Sequence, residues 1–264
     1  MYRQRIQHLV GNHCAGYLHG QRVQPLHAVD EVRHALPVPI SGAVIANEVL
    51  DALPVHLLRW SDSLVLECGV ATKNSNFIWE DRLPEIPALL EMAQQISVPD
   101  DYLSEISLAA RGLVSSLCER LDSGALLFID YGFGAREYYH PQRSSGTLMC
   151  HYRHHAHDDP FFLPGLQDIT AHVDFTAIAE SAIDHGANLL GYTSQAHFLI
   201  NGGITDLISD ISPDNLRDYL PLSAQIQKLT SPAEMGELFK VMAVGKGIET
   251  PLRNFLSGDK SRLL

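Results

Sequence analysis

Two short runs constrain this chain most. SGAVIAN (Ser41–Asn47) and GALLFIDYG (Gly124–Gly132) are continuously apolar and each breaks abruptly into polar residues. A strand with one wet face alternates, whereas a strand covered on both faces does not, so both runs are predicted as parallel strands buried on both faces. Parallel neighbours cannot be joined by a tight turn and need a crossover, usually a helix. Between the runs, Ile106, Ala109, Ala110, Leu113, Val114, Leu117 and Leu121 recur at helical spacing. They predict a helix over Ser104–Leu121, stopped by Ser123 and Gly124. The result is a β-α-β unit.

Further along, Phe175, Ile178, Ala179, Ala182 and Ile183 share one helical face from Phe175 to about His185, with Asp174 placed as its cap and Gly186 just past its end. ANLLGYTSQAHFL (Ala187–Leu199) and FKVMAVGKG (Phe239–Gly247) read as strands that pair antiparallel at one edge of the sheet. Two insertions interrupt this plan. LLRWSDSLVLECGV (Leu57–Val70), two apolar runs around Ser61, Asp62 and Ser63, predicts a hairpin within about 55–84, and the Pro-, Gly-, His- and Asp-rich stretch 133–173 predicts a loop-rich lid. The tail after Ile248 has no period and is expected to be loosely held. The chain as a whole, 1–264, reads as one partial domain.

Charge and cysteine usage bound the partners. Thirty-one acidic against 19 basic residues give a formal charge of -12, which opposes the phosphate neutralisation that nucleic-acid binding depends on. Cys14, Cys68, Cys118 and Cys150 form no CxxC, so neither a zinc knuckle nor a redox pair is expected. No apolar run nears the roughly 20 residues of a membrane helix, and the start MYRQRIQHLVGNH lacks a signal-peptide core. The expectation is a cytoplasmic protein without a membrane or nucleic-acid partner.

In an open parallel sheet, ligands bind outside the carboxyl ends of the strands. Asn47, Glu48 and Asp51 follow the first strand, and Asp130, Tyr131 and Gly132 follow the second. Both sets are candidates on position. Local roles stand beside this: Asp51 as the cap of a short helix at Ala52, and Asp130 closing a turn before Gly132 and Gly134. HYRHHAHDDP (His151–Pro160) places His151 and His155 four apart with Asp158 and Asp159 behind them, but no third ligand is defined, and no metal is assigned. A hydrolase on the His and Asp residues lacks a G-x-S-x-G and ranks far behind.

ANEVLDALPVH, LLFIDYG, the Gly-Thr of SSGTLM, PGLQDITAHVDF and TSQAHFL occur in that order. The set resembles the MidA family of class I S-adenosylmethionine-dependent methyltransferases, whose members include a protein arginine methyltransferase of complex I assembly. The resemblance runs from about Ser41 to Gly247. It implies a doubly wound, mostly parallel sheet with an antiparallel edge, in which the strand ending at Asn47 is the fourth and that ending at Asp130 the fifth. It also implies S-adenosylmethionine as cofactor, near Asn47, Asp130, Tyr131 and Gly132, and a protein acceptor, for which Glu48, Asp51 and the net charge suggest a basic segment. Glu48 and Asp51 would grip a guanidinium, and Asp168 and His172 of DITAHVDF would reach the acceptor or lock the lid, unless Asp168 makes a local turn bond and His172 only packs.

Such enzymes cradle the cofactor with a glycine-rich turn after their first strand. Gly11, Gly16 and Gly20 make no GxGxG, and 40 residues before the fourth strand are too few for three strands with crossovers. RQRIQHLVG looks like the tail of an upstream helix, so the chain resembles the C-terminal part of the family protein. A second chain completing the sheet, or an oligomer, is one expectation that follows; a non-catalytic module on the same fold is the alternative function.

Overall fold

The computed structural model describes residues 38–264 except 154, 210 and 213. Gly11, Cys14, Gly16, Gly20 and the helix tail expected at RQRIQHLVG therefore lie outside the described residues. The described chain divides into two compact units.

The first unit comprises 49–114 and 135–173. Its main sheet is formed by β2 (His56–Ser61), β3 (Leu64–Lys73), β4 (Asn76–Arg82) and β5 (Tyr102–Ile106), in the order β4-β3-β2-β5, the first strand, β1 (Ile40–Asn47), belonging to the other unit. The turn between β2 and β3 is made by Asp62 and Ser63, both at positive φ (52° and 64°), the conformation a two-residue hairpin loop needs. The predicted hairpin exists, and β4 and β5 extend it to four strands. Helix α1 (Pro87–Gln95) starts on Pro87, whose fixed φ suits a first helical position, and buries Leu89 and Ala93 one turn apart. These two meet Leu58, Trp60, Tyr102 and Ile106 in the core of the unit. Trp60 makes an edge contact with Tyr102 at 6.2 Å and donates its indole N–H to Ala93 O at 3.2 Å, so the largest core ring is also hydrogen-bonded.

Strand β5 corrects one expectation. The helix predicted from Ser104 begins at Leu108: α2 spans Leu108–Arg120, and Ser107 Oγ caps it by accepting from Ala110 N–H at 3.1 Å. Tyr102–Ile106 instead pairs antiparallel with β2. A five-residue strand is too short for its period to show, so Ile106 fitted the helical face by coincidence. The stretch 133–173 is also more ordered than a loop-rich lid. It holds α3 (Ala135–Tyr138) and a small antiparallel sheet of β7 (Met149–Tyr152), β8 (His155–His157) and β9 (Asp168–Thr170).

The second unit comprises 38–48, 115–134 and 174–264 of the described residues. Strand β1 (Ile40–Asn47) pairs parallel with β6 (Leu121–Phe133), as the two apolar runs predict. β6 pairs antiparallel with β12 (Phe239–Lys246), which pairs antiparallel with β11 (Asn188–Ser194). The antiparallel edge is therefore present, while the second half of ANLLGYTSQAHFL forms helix α5 (Gln195–Asn201) rather than strand. Helix α4 (Phe175–Asp184) follows the short strand β10 (Val173–Asp174), and its cap is as predicted: Asp174 accepts from Thr176 N–H and Ala177 N–H. Ile183, expected on the buried face, is 52 % exposed. The remaining helices, α6 (Asp206–Ser209), α7 (Leu216–Thr230) and α8 (Met235–Leu238), lie in sequence that gave no prediction.

Two expectations fail here. Strand β1 is not covered on both faces among the described residues: Ser41, Gly42 and Ala43 are exposed and Ile45 is 62 % exposed. An apolar run reports what a strand needs, not what chain supplies it. The tail is not loose. Phe255, 6 % exposed, packs with Val241 and Ala243 and lies 5.4 Å from the Phe198 ring. Asp259 accepts from Tyr192 N–H, Lys260 N–H donates to Tyr192 O, and Thr193 donates to Gly258 O. The tail is fixed to β11 by its backbone and by the Asp259 side chain, single contacts that leave no period in its own sequence.

Candidate functional site

In the second unit, β1 and β6 run in register so that Asn47, the last residue of β1, lies beside Ile129, and β6 runs four residues further, to Phe133. Glu48 N–H donates to Ile129 O at 2.9 Å, ending the ladder, and Glu48 then takes a φ of 50°, a left-handed conformation that costs a non-glycine residue free energy. That turn leaves Glu48 exposed, with Asn47 Nδ2 donating to its Oε1 at 3.2 Å. Asp130 is the next residue on β6; it is 1 % exposed and its Oδ1 accepts from Tyr131 N–H at 3.0 Å. The Tyr131 ring meets Phe239 edge-on at 5.4 Å. Asn47, Glu48, Asp130 and Tyr131 thus share one end of a parallel pair, and Gly132 continues β6 beyond them.

The sequence reading missed Lys240. It is the cross-strand partner of Asp130 on β12, is 6 % exposed, donates to Glu237 O, and has its ammonium 5.7 Å from the Phe133 ring centroid. Lysine is seldom this buried without charged or polar company, so a lysine inside the apolar run FKVMAV was the available signal.

In the first unit, Asp51 is 5 % exposed, and its carbonyl accepts from Ala171 N–H at 3.0 Å. That bond ties ANEVLD to TAHV. The next residue, His172, is half-buried and donates its N–H to Thr147 Oγ1 at 3.0 Å, which brings in the Gly-Thr of SSGTLM. Thr147 is held by Glu105, a second residue the sequence reading missed because it placed 104–121 on a helix. Glu105 Oε1 accepts from Thr147 N–H at 2.8 Å and Leu148 N–H at 2.9 Å; Oε2 accepts from the Thr147 hydroxyl at 3.0 Å and the Tyr138 hydroxyl at 3.2 Å. Burial pushes the Glu105 carboxyl above its ordinary range, against the pull of these four donors. Gly146 has a φ of 76°, and a Cβ there would overlap Glu105 Oε1, so glycine is required twice over. Asp168 is exposed on β9, opposite His151.

Other motif residues are structural. His56 of ANEVLDALPVH pairs with Glu67 at 2.9 Å. In TSQAHFL, Ser194 is fully buried and meets His197 Nδ1 at 2.9 Å, while Glu237 faces that same nitrogen at 4.0 Å. A Ser-His-acid relay needs the two partners on opposite ring nitrogens, so this cluster is not a hydrolytic site. His151 and His155 lie on neighbouring strands rather than one helical face, and no group of three His, Cys, Asp or Glu side chains converges for a metal among the described residues. Cys68, Cys118 and Cys150 are buried thiols, with burial pushing Cys68 up to about 12 and Cys118 up to about 11. A groove of about 720 Å3 lined by Trp60, Leu64, Ala93, Ile96 and Asp100 includes none of the candidate residues.

Comparison with known proteins gives these arrangements a family. A model described as "Putative S-adenosyl-L-methionine-dependent methyltransferase" matches residues 6–193. Among curated proteins, the mitochondrial protein arginine methyltransferase NDUFAF7 homolog of Drosophila melanogaster is 28% identical over 78% of this chain and 47% of its own length. NDUFAF7 of Danio rerio is 28% identical over 83% of this chain and 49% of its own length. The chain therefore spans about half the length of the curated relatives it matches. Two crystal structures of Burkholderia thailandensis proteins are each 49% identical with a TM-score of 0.84 over 87% of this chain. The chain covers 62% of one and 60% of the other, which is bound to S-adenosyl-homocysteine. The curated relatives are named as mitochondrial, which overturns the cytoplasmic expectation; dispersed reduced cysteines suit either compartment and could not separate them. No helix among the described residues is long and apolar enough to cross a membrane. With the sheet, the polar residues after β1 and late in β6, and the linked motif words in agreement, the chain belongs to this family of S-adenosylmethionine-dependent methyltransferases and has its class I methyltransferase-like fold.

Proposed function

We propose that this chain is the acceptor-handling part of an S-adenosylmethionine-dependent protein methyltransferase, with an arginine side chain as the acceptor. The observation that carries this reading is the carboxyl end of β1 against β6, where an exposed acid at a strained φ, Glu48, follows the strand and a buried acid, Asp130, follows its last pairing partner. The relatives' printed activity supports the acceptor, and the neighbour holding S-adenosyl-homocysteine supports the cofactor.

The residues present fit that cofactor in donor chemistry. The carboxylate of Asp130, the amide of Asn47 and the hydroxyl of Tyr131 match the amine, carboxylate and ribose hydroxyls of an amino-acid nucleoside, and Gly132 keeps the backbone bare. When bound, the cofactor supplies an electrophilic methyl on a sulfonium. The protein's task is then to aim a nitrogen lone pair along the line of displacement and manage its proton. Glu48, exposed at the end of β1, pairs with the guanidinium and draws its charge away from the attacking nitrogen; bidentate carboxylate pairs are the strong form of this contact. Asp51, Asp168 and His172 of the first unit carry the roles of holding the acceptor and taking its proton. A basic acceptor segment suits a chain of net charge -12.

The test is calorimetric titration of S-adenosyl-homocysteine into the chain, followed by methyl transfer to arginine and lysine versions of one basic peptide. Cofactor binding with transfer to the arginine peptide is expected. Transfer to lysine alone overturns the acceptor; absence of both binding and transfer replaces the enzyme with a binding module.

A further inference from the structure

We infer that Glu105 is a positioning residue for the candidate site: its buried carboxylate, through Thr147, fixes the segment Ala171–His172 and with it the backbone of Asp51. The inference rests on the reading above only in the roles given to Asp51 and His172.

The argument is one of hydrogen-bond polarity. A hydroxyl has one proton to give. The Glu105 carboxylate accepts, so the Thr147 hydroxyl at 3.0 Å directs its proton there and turns a lone pair toward His172 N–H, also at 3.0 Å. The acceptor at Glu105 Oε2 thereby sets the direction of the second bond. Two backbone N–H groups, from Thr147 and Leu148, hold the other carboxylate oxygen at 2.8 and 2.9 Å and place the start of β7. β7 pairs with β9 from Met149 opposite Thr170 to His151 opposite Asp168, so the register of Asp168 follows from the same anchor. At the far end, Ala171 N–H donates to Asp51 O at 3.0 Å. Residues 171 and 172 are thus gripped by adjacent N–H groups, one on Asp51 and one on Thr147.

A buried carboxyl group of this kind is a poor way to gain stability, since an apolar residue of similar volume often does as well. What it provides is direction: it accepts from two chain segments at once and leaves them one arrangement. Gly146 lets the loop approach that closely.

The experiment compares Thr147→Val, Thr147→Ser, Glu105→Gln and Tyr138→Phe in the 264-residue chain by amide hydrogen exchange at residues 171 and 172. Thr147→Val keeps the shape and removes the hydroxyl; His172 N–H is expected to exchange about tenfold faster, from the loss of one buried bond. Thr147→Ser restores the hydroxyl and should return exchange to within about twofold of wild type. Tyr138→Phe takes a donor from Glu105 but leaves the Thr147–His172 bond, and should also stay within twofold. Glu105→Gln should speed exchange at 147, 148 and 172 together. Unchanged exchange at 172 in Thr147→Val overturns the inference, whatever the chain catalyses. With the arginine peptide as substrate, Thr147→Val is expected to lower kcat about tenfold at unchanged KM for the cofactor, with Thr147→Ser restoring it. Fast exchange with unchanged kcat overturns the positioning role. Absence of methyl transfer in the wild type refutes the proposed function instead, and leaves the exchange result to decide the clamp.

Discussion

Replacing Phe255 by alanine tests the docking of the tail directly. The side chain is 6 % exposed, packs on Val241 and Ala243, and sits 5.4 Å from the Phe198 ring; a Cβ on Gly191 would overlap its ring, so the fit is tight. Truncating a buried Phe costs about 3–5 kcal/mol, since the cavity left behind is lined by strands that cannot collapse into it. With a urea m-value of about 2–3 kcal/mol/M, the midpoint should fall by about 1–2.5 M. Both tryptophans, Trp60 and Trp79, lie in the first unit, so the transition is to be followed by far-UV circular dichroism and by exchange of the Tyr192 and Val241 amides rather than by fluorescence. Leu256→Ala is the control: that side chain is 72 % exposed and should change stability by less than about 0.5 kcal/mol. If Phe255→Ala shifts the midpoint no more than Leu256→Ala, the tail is not part of the folded unit.

Glu48→Gln should reduce methyl transfer to an arginine peptide by about 10²–10³-fold while leaving S-adenosyl-homocysteine affinity within twofold, since the loss falls on the acceptor; equal loss of both, read by calorimetry and radiolabel transfer, counts against the assignment. Gly146→Ala should cost about 2.5–5 kcal/mol, from about 1–2 for the left-handed φ and about 1.5–3 for displacing the Glu105 carboxylate, and a thermal melt within 2 °C of wild type would refute that geometry. Asp259 and Glu237 are partly buried, which raises a carboxyl, but the Ser261, Tyr192 and Lys260 donors around Asp259, and Ser194 and Lys260 around Glu237, outweigh this and hold both below their ordinary range. The unfolded chain then binds more protons than the folded one, so their stabilisation is complete above the ordinary carboxylate range of about 4 and is lost as pH falls through the depressed folded values. Asp259→Asn should flatten that acid limb in melts taken from pH 6 to pH 3; an unchanged limb would remove Asp259 from the tail's anchor.

Much of the second unit was legible because its signals are local. Asp174 caps α4 from two residues away, and the apolar continuity of LLFIDYG needs no partner to be seen. Asn47, Glu48 and Asp130 were legible for the same reason: they stand where a buried run stops. Glu105 was not, because YLSEI is five residues long and its acid is meaningful only beside Thr147, 42 positions later. Lys240 was passed over because it reads as one polar interruption of a strand. The order of the tail is not legible in its sequence because it comes from single contacts, the Phe255 ring, the Asp259 carboxylate and the Lys260 N–H, which form no repeating pattern.

The amino-acid order by itself determined the strand type, the helix caps and the family words, since each depends on residues within a turn or two of one another. Tertiary structure alone decided that Asp51, Thr147 and Ala171–His172 form one hydrogen-bonded chain anchored on Glu105, and that Asp130 faces Lys240 across β12. The reason is physical. A buried carboxylate takes its meaning from the donors that surround it, and folding collects those donors from segments whose separation along the chain leaves no mark in its periodicity.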